Sequence, residues 1–442
     1  MKIAVIGGGP AGMMSAIAAS KQGAEVTLFE KNEKTGKKLY ISGKGRCNLT
    51  NDCAPSEFLQ NVVTNAKFLQ SAIHKFTPAD TLEFCADNGL LLKTERGNRV
   101  FPQSDKSSDV IKTFNKVMTQ IGVKVILNAS VLDVVQVENG FEVQYFSNAD
   151  VGNSANARNN ADVRNIADVR NSKLASKSYA NATSEFFDKI IVATGGYSYR
   201  ATGCDGFGYA LARQFGHTVT PLKPALCRIL CSGAAGLEGI SLKNVAVSFV
   251  NGAGKVIASE FGEMLFTADG ISGPAVLSLS SQINKYNLSG GKISIDLKPA
   301  LDLATLDARI LRDFSERFNK NFENALDGLL PSRLVAAVVA QCGISADKKV
   351  HQVTAVERAK LAQTLKNLVF GNVKLDDVEF GIVTSGGVSV SEINPSTMES
   401  KRVAGLYFCG EVLDVDAYTG GFNIQIALST GHLAGISAAS QK

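Results

Sequence analysis

Tryptophan is absent from the 442 residues, so an aromatic platform on this chain must be built from Tyr, Phe or His. Histidine is scarce: His74, His217, His351 and His432 are the full set. None has a partner at ligand or triad spacing, and each reads as structural rather than catalytic. Eight cysteines occur, but no Cys-x-x-Cys pair and no zinc-type Cys/His array. Cys227 and Cys231 are separated by three residues, a poor redox spacing. Scattered thiols of this kind are expected to be reduced, as in a cytoplasmic protein, and no metal site is expected. No run of about 18 apolar residues exists, so no membrane span is expected. The apolar start resembles a signal peptide until Gly7-Gly8-Gly9-Pro10 interrupts it, a break that nucleotide binding explains better. A dominant charge is lacking too. Against 41 acidic side chains stand 46 basic ones, a net charge of +5. That excess permits a polyanionic partner without requiring one, and stable DNA binding is not expected.

A chain of this length predicts two or three domains. Its start carries the strongest motif. Lys2 to Ile6 is an apolar run suited to a buried parallel strand, and Gly7, Gly9 and Gly12 follow at G-x-G-x-x-G spacing. Met13 to Lys21 reads as a helix and Glu25 to Phe29 as a second strand, with Glu30 at its end. This order predicts a dinucleotide-binding Rossmann unit. Gly7 permits the tight turn, Gly9 the approach of backbone to pyrophosphate, and Gly12 the packing of helix on strand. The helix N-terminus offers free N–H groups to phosphate. Glu30 can accept from both ribose hydroxyls, which argues against a 2′-phosphate. With Pro10, Ala11 and Lys31 these residues form the expected adenosine and pyrophosphate site.

Further along, Gly36 to Asn51 reads GKKLYISGKGRCNLTN, a loop dense in Gly, Lys, Ser and Asn with Lys37, Lys38, Lys44 and Arg46 adding charge. Ser42, Gly43, Gly45, Arg46, Cys47 and Asn48 in it, with Lys38, are candidate cofactor contacts; a solvated basic loop is the plain alternative. RVFPQS follows at Arg99 to Ser104, then IIVATGG at Ile190 to Gly196, an apolar strand ending in Thr194-Gly195-Gly196. The tail holds IVTSGGVSV (Ile382 to Val390), TMESK (Thr397 to Lys401), GLYFCGEVLDVD (Gly405 to Asp416) and TGGFNIQIA (Thr419 to Ala427).

Together these strings resemble the BaiN-like (YhiN-like) flavoproteins, a branch of the glutathione-reductase-type FAD fold, over about two-thirds of the chain. The resemblance implies an α/β protein with a Rossmann-like FAD-binding domain made from both ends, 1–200 with 374–442. It carries an inserted antiparallel β-barrel over 201–300 and a small helical domain over 301–373. Glu411, after strand-end Gly410, would hold the ribityl chain. Thr419, Gly420, Gly421, Phe422 and Asn423 would place a helix N-terminus near the flavin pyrimidine ring, where its dipole favours the charge of the reduced ring. Two departures stand out. Ala268 occupies a position where the family often has His, and Ala417 one where it often has Gly.

Between these ends, Asn148 to Ser184 repeats Ala-Asp-Val-Arg-Asn and has few large apolar residues. It predicts a mobile low-complexity loop between strands at Phe141 to Phe146 and Phe186 to Ala193. Asn244 to Val250 and Lys255 to Ser259 read as a hairpin, and Lys292 to Leu297 as another strand. Leu303 to Phe370 has helical periodicity, with Pro331 at a helix start. No second G-x-G-x-x-G is visible, so NAD(P)H visits the substrate cleft transiently or a partner protein reduces the flavin.

The family resemblance implies hydride transfer from reduced flavin to an activated C=C bond, with uridine in large-subunit rRNA as one substrate. A small-molecule enone reductase or amine oxidase is the alternative, and a non-catalytic FAD-bound redox sensor or binding module a third. The proton donor is expected to be Cys47, its pKa lowered by Lys44 and Arg46, or Tyr418; packing roles are the plain reading of both. Arg46 and Asn48 are candidates to hold the flavin or the substrate carbonyl.

Overall fold

Five short apolar runs make the framework of the first unit: β1 (Lys2–Ile6), β2 (Glu25–Phe29), β3 (Lys124–Ile126), β4 (Lys189–Val192) and β5 (Leu406–Phe408). They pair in the order β5-β4-β1-β2-β3, all parallel. The central strands β1, β2 and β4 and the edge strand β5 are buried almost end to end, which suits Val, Ile, Leu and Phe in a sheet covered on both faces. The computed structural model describes residues 1–147 and 182–440; most of the segment read as a low-complexity loop lies outside them. The run Phe186 to Ala193, read as one strand, is divided. Thr183–Phe187 pairs antiparallel with Gly140–Ser147, whereas β4 joins the parallel sheet. The break falls at Asp188, whose amide donates to Lys2 O at 2.9 Å and whose carboxylate accepts from Lys2 N at 2.6 Å.

Helix α1 (Pro10–Lys21) connects β1 to β2. Proline at its first position loses no helical hydrogen bond there and pre-sets φ. The helices α2 (Lys37–Ile41), α3 (Ser107–Gln120) and α4 (Phe422–Ala439) complete the parts that matter for the site. α1 and α4 lie against each other without side chains between them. A Cβ on Gly431 would stand 2.3 Å from Ala11 O, and one on Gly435 2.4 Å from Ser15 O. Both contact positions advance by one turn together, so the two helices run parallel. Residues from the head and the tail of the chain thus share one core.

The structure divides into two compact units, Met1–Lys223 with Ile382–Lys442, and Pro224–Gly381. In the second, six strands close an antiparallel barrel: Ile229–Ser232, Gly270–Ser272, Val256–Phe266, Ser241–Val250, Lys292–Asp296 and Leu368–Leu375. The last of these begins at the end of the stretch read as helical, and it pairs with both Lys292–Asp296 and Ile229–Ser232. Barrel and helices therefore share a single core, in which Val247, Phe249 and Ile295 lie with Leu306, Phe314, Leu334 and Leu361. The cuts at 200/201 and 373/374 differ from the contact boundary because helix Phe207–Gln214 buries Tyr209, Leu211 and Ala212 in the first unit's core. Among the described residues no helix is long and apolar enough to cross a membrane.

Candidate functional site

The turn after β1 is fixed by backbone contacts. Gly7 has φ +108° and donates its N–H to Phe29 O at 2.8 Å. A Cβ on Gly12 would lie 1.8 Å from Gly7 O, so only glycine fits where α1 crosses the strand end. Gly9 caps α1 with no side-chain hydrogen bond, and nothing stands within 4 Å of the place its Cβ would take. The first-turn N–H groups are therefore bare, with the positive end of the helix dipole behind them. Glu30 is buried at the end of β2. Its Oε2 accepts from Gly8 N at 2.8 Å; its Oε1 accepts from Asn32 N at 2.8 Å and Asn32 Nδ2 at 2.7 Å. A carboxylate has about four lone-pair sites, so room remains for a ribose hydroxyl. Gly8 and Asn32 were not singled out from the sequence. Lys31 pairs with Asp205 at 2.7 Å. Ala11 serves packing, its carbonyl lying under Gly431.

The loop after α2 differs from its sequence reading in three places. Gly43, Lys44 and Gly45 are all left-handed, as is Cys47, so two non-glycine residues hold φ near +58°. Cys47 is fully buried, and its thiol is pushed up to about 12 by desolvation. The expectation that Lys44 and Arg46 lower its pKa is overturned, because Arg46 turns elsewhere. Its Nη2 lies 2.6 Å from Asp105, its Nε donates to Asp105 Oδ1 at 2.8 Å, and Glu95 takes the remaining edge. The guanidinium sits over the Phe101 ring, 4.2 Å from its centroid. Arg46 is a strut for the loop, not a group free for flavin or substrate. Ser42 Oγ likewise donates within the loop, to Leu39 O at 2.7 Å. Cys47→Ala is accordingly expected to lower turnover by less than about tenfold, whereas losing a general acid lowers it by roughly 10²–10⁴. Steady-state rates across pH check this.

Lys38 faces the tail. Its Nζ donates to Glu411 Oε2 at 2.7 Å, Glu411 Oε1 at 2.9 Å and Ser198 Oγ at 2.8 Å. Desolvation pulls the Lys38 pKa down, but Glu411 together with Cys204 and Tyr199 raises it, and the net direction is up. Glu411 Oε1 also accepts from Thr384 N at 2.9 Å. Gly196 lies directly alongside: a Cβ there would stand 2.5 Å from Thr384 Oγ1 and 2.7 Å from Glu411 Oε1. Ser198 and Thr384 were not singled out from the sequence: Ser198 follows the IIVATGG string, and Thr384 lies within IVTSGGVSV, to which no residue role was assigned. Gly410 passes α1 with its would-be Cβ 2.7 Å from Ala11 Cβ. Gly195 stands beside Cys204 Sγ, and the buried Thr194 Oγ1 has no hydrogen-bond partner.

The loop also meets the N-terminus of α4. Asn48, with its amide oriented to satisfy both ends, donates to Thr50 O at 3.2 Å and accepts from Gly421 N at 3.1 Å. Asn51 Nδ2 donates to Gly420 O at 3.1 Å, and Thr50 Oγ1 to Gln425 Oε1 at 2.6 Å. α4 begins at left-handed Gly421 without a side-chain cap, leaving its first-turn amides bare. Of the residues expected there, Thr419 is exposed. Phe422 is buried edge-on against Phe58, and Asn423 is engaged with Ala417 N and O. Neither of those two side chains is left free for a ligand. Tyr418 is half-buried, its amide donating to Asn61 O at 3.0 Å.

One histidine gains partners that spacing concealed. His217 Nδ1 meets Glu392 Oε2 at 3.1 Å, and Nε2 meets Ser400 Oγ at 2.8 Å. Ser400 Oγ also accepts from Arg402 N and Val403 N, and the array is buried. It braces the TMESK segment and offers no accessible nucleophile.

Comparison with known proteins follows the same lines. The family model for the HI0933-like protein Rossmann domain matches residues 1–155 and 146–437. A 3-dehydro-bile acid delta(4,6)-reductase of Clostridium scindens is 29% identical, over 100% of this chain and 99% of its own. A ribosomal RNA dihydrouridine synthase of Haemophilus influenzae is 30% identical over 99% and 98%, and one of Escherichia coli 30% over 96% and 95%. Among solved structures, a 3-ketosteroid-delta4-(5alpha)-dehydrogenase of Rhodococcus jostii RHA1 superposes with TM-score 0.52 at 14% identity, covering 99% of this chain and 96% of its own. That last likeness is one of fold.

Proposed function

The chain belongs to the HI0933-like family, and from that premise we propose that it is an FAD-dependent oxidoreductase that saturates an activated carbon–carbon double bond. The observation that carries the reading is the pairing of α1 and α4. They run parallel, in contact at Ala11 and Gly431, so their bare N-termini point the same way. At 1.5 Å per residue the stagger between those termini is about 12 Å. That is the order of span a ribityl chain bridges between pyrophosphate and flavin ring. Glu30, at the end of β2, would take the ribose, and Glu411, held by Lys38, Ser198 and Thr384, would take the ribityl hydroxyls.

Flavin, when bound, supplies the two-electron transfer. The chain's own part is to bind, orient and move a proton. The α1 amides neutralise pyrophosphate charge. The α4 amides favour negative charge on the pyrimidine side of the ring. Tyr418, in the loop that leads into α4, keeps the proton-donor role that Cys47 loses.

For the substrate, the named activities of the relatives share one chemistry: saturation of a ring double bond conjugated to a carbonyl. We take uridine in large-subunit rRNA as the finer reading, with a steroid-like enone as the other substrate of the same reaction. NAD(P)H is the proposed reductant, arriving transiently, and a partner protein is the alternative. The purified protein is expected to be yellow and to bleach anaerobically with NADH or NADPH. Mass mapping of rRNA from a deletion strain is expected to lose a dihydrouridine. Unchanged rRNA removes the uridine reading, and flavin that neither nucleotide bleaches moves the case to a partner reductase or a binding role.

A further inference from the structure

Around the strained loop stands a second set of exposed groups. α2 and the start of α3 are joined there by Ser107 Oγ donating to Tyr40 O at 2.7 Å. The hairpin Leu92–Glu95 with Arg99–Pro102 is joined to the loop by Arg46 stacked on Phe101. Tyr40 is 46% exposed and Ile41 42%, so an aromatic ring and an apolar side chain stand in water side by side. Lys34 Nζ lies 4.8 Å from the Tyr40 ring centroid.

The carboxylates of this face are taken up by particular cations. Glu33 pairs with Lys37, Glu95 with Arg46, Asp105 with Arg46 and Lys93, and Asp109 with Lys112. Among the described residues Lys34, Lys44, Arg99 and Lys106 make no ion pair, and all four are exposed. Asp52, whose amide donates to Asn98 O at 2.7 Å, returns one negative charge near the hairpin turn, and exposed Arg96 on that turn offsets it. Lys44 is presented at the crest of the loop by the left-handed run Gly43-Lys44-Gly45. Four exposed cations without ion pairs, on segments that adjoin one exposed aromatic, suit a flexible polyanion with stackable bases. The cations meet successive phosphates, and the ring accepts an unstacked base. A duplex would leave the ring without a base to stack.

We propose that Lys34, Tyr40, Lys44, Arg99 and Lys106 grip single-stranded RNA, an inference that rests on the uridine reading of the substrate. The test is binding of a fluorescein-labelled oligouridylate, measured against salt concentration. Replacing the four cations by glutamine together is expected to raise Kd more than about tenfold at physiological salt. It should also reduce the slope of log K against log salt by about 3, since each phosphate contact to a single strand contributes ~0.7. Tyr40→Ala is expected to weaken binding roughly 5- to 150-fold with the slope kept, and Tyr40→Phe to restore it. Thermal melting of each variant reports that the fold persists. An unchanged slope, or Tyr40→Ala binding like the parent, overturns the proposal. So does equal capture of anionic lipid vesicles by the same four cations. A protein that bleaches with NAD(P)H but ignores the oligonucleotide fails here while the oxidoreductase reading stands. One that binds it yet is never reduced fails in the opposite sense.

Discussion

Gly12→Ala is expected to yield protein that purifies without bound flavin and unfolds at a lower temperature. The added Cβ would stand 1.8 Å from Gly7 O, far inside any contact distance, and the obstacle is backbone. Gly7 cannot yield. Its N–H is tied to Phe29 O, its φ is +108°, and Ala193 O lies 2.5 Å from where its own Cβ would be. α1 must therefore move off β1, and α4, packed on its Ala11 and Ser15 carbonyls, must move with it. Overpacking of this kind costs about 1–3 kcal/mol and sometimes more; with two helices displaced, the upper end is expected. Gly9→Ala is the control. Nothing lies within 4 Å of that Cβ, so the apo-protein should melt like the parent, while a methyl group over the bare amides obstructs the phosphate. The ratio of flavin to protein absorbance, and melting with and without added FAD, separate the two. Gly12→Ala with full flavin content would show that the turn after β1 is not the dinucleotide site.

That contrast also explains which parts of the molecule were legible in the sequence. The fingerprint was readable because each glycine answers a local steric demand within one β-α-β unit, and the apolar runs of β1 and β2 match the observed strands to the residue. The tail motif was readable as a helix start for the same reason. What failed were the long-range contacts that no motif marks. The cations next to Cys47 in sequence suggested an activated thiol, but Glu95, Asp105 and Phe101, roughly fifty residues away or more, draw Arg46 off and leave Cys47 dry. Phe186 to Ala193 reads as one strand because its apolar pattern barely breaks, yet Asp188 anchors to Lys2 and splits it between two sheets. The barrel's sixth strand follows the helices, so composition placed it among them. His217 finds Glu392 and Ser400 at separations that no spacing rule covers.

Lys38→Met is expected to cost about 1–3 kcal/mol and to weaken flavin retention, and its pH dependence identifies the cause. The Lys38–Glu411 pair is only about one-fifth exposed on each side, at 2.7 Å. Removing the cation leaves Glu411 with Ser198 Oγ and Thr384 N alone. Breaking a buried pair from one side costs roughly 3–5 kcal/mol, and the residual water contact lowers that figure here. The Lys38 pKa is raised in the folded protein, with desolvation opposed by Glu411, Cys204 and Tyr199 together. A raised lysine contributes stability fully below its unfolded value near ~10.4, and that contribution is lost as pH climbs through the folded value. Parent and Lys38→Met should therefore differ most from neutral pH to about 10 and converge above it. Urea midpoints along that range measure the gap. Lys38→Arg keeps the charge and should recover part of it. In the double variant with Glu411→Gln, the loss should fall well short of the sum of the single losses, because neither change then strands a charge. A gap that stays constant into strong alkali would mean that Lys38 acts by its aliphatic stem and that the head and tail of the chain are not joined by charge at Glu411.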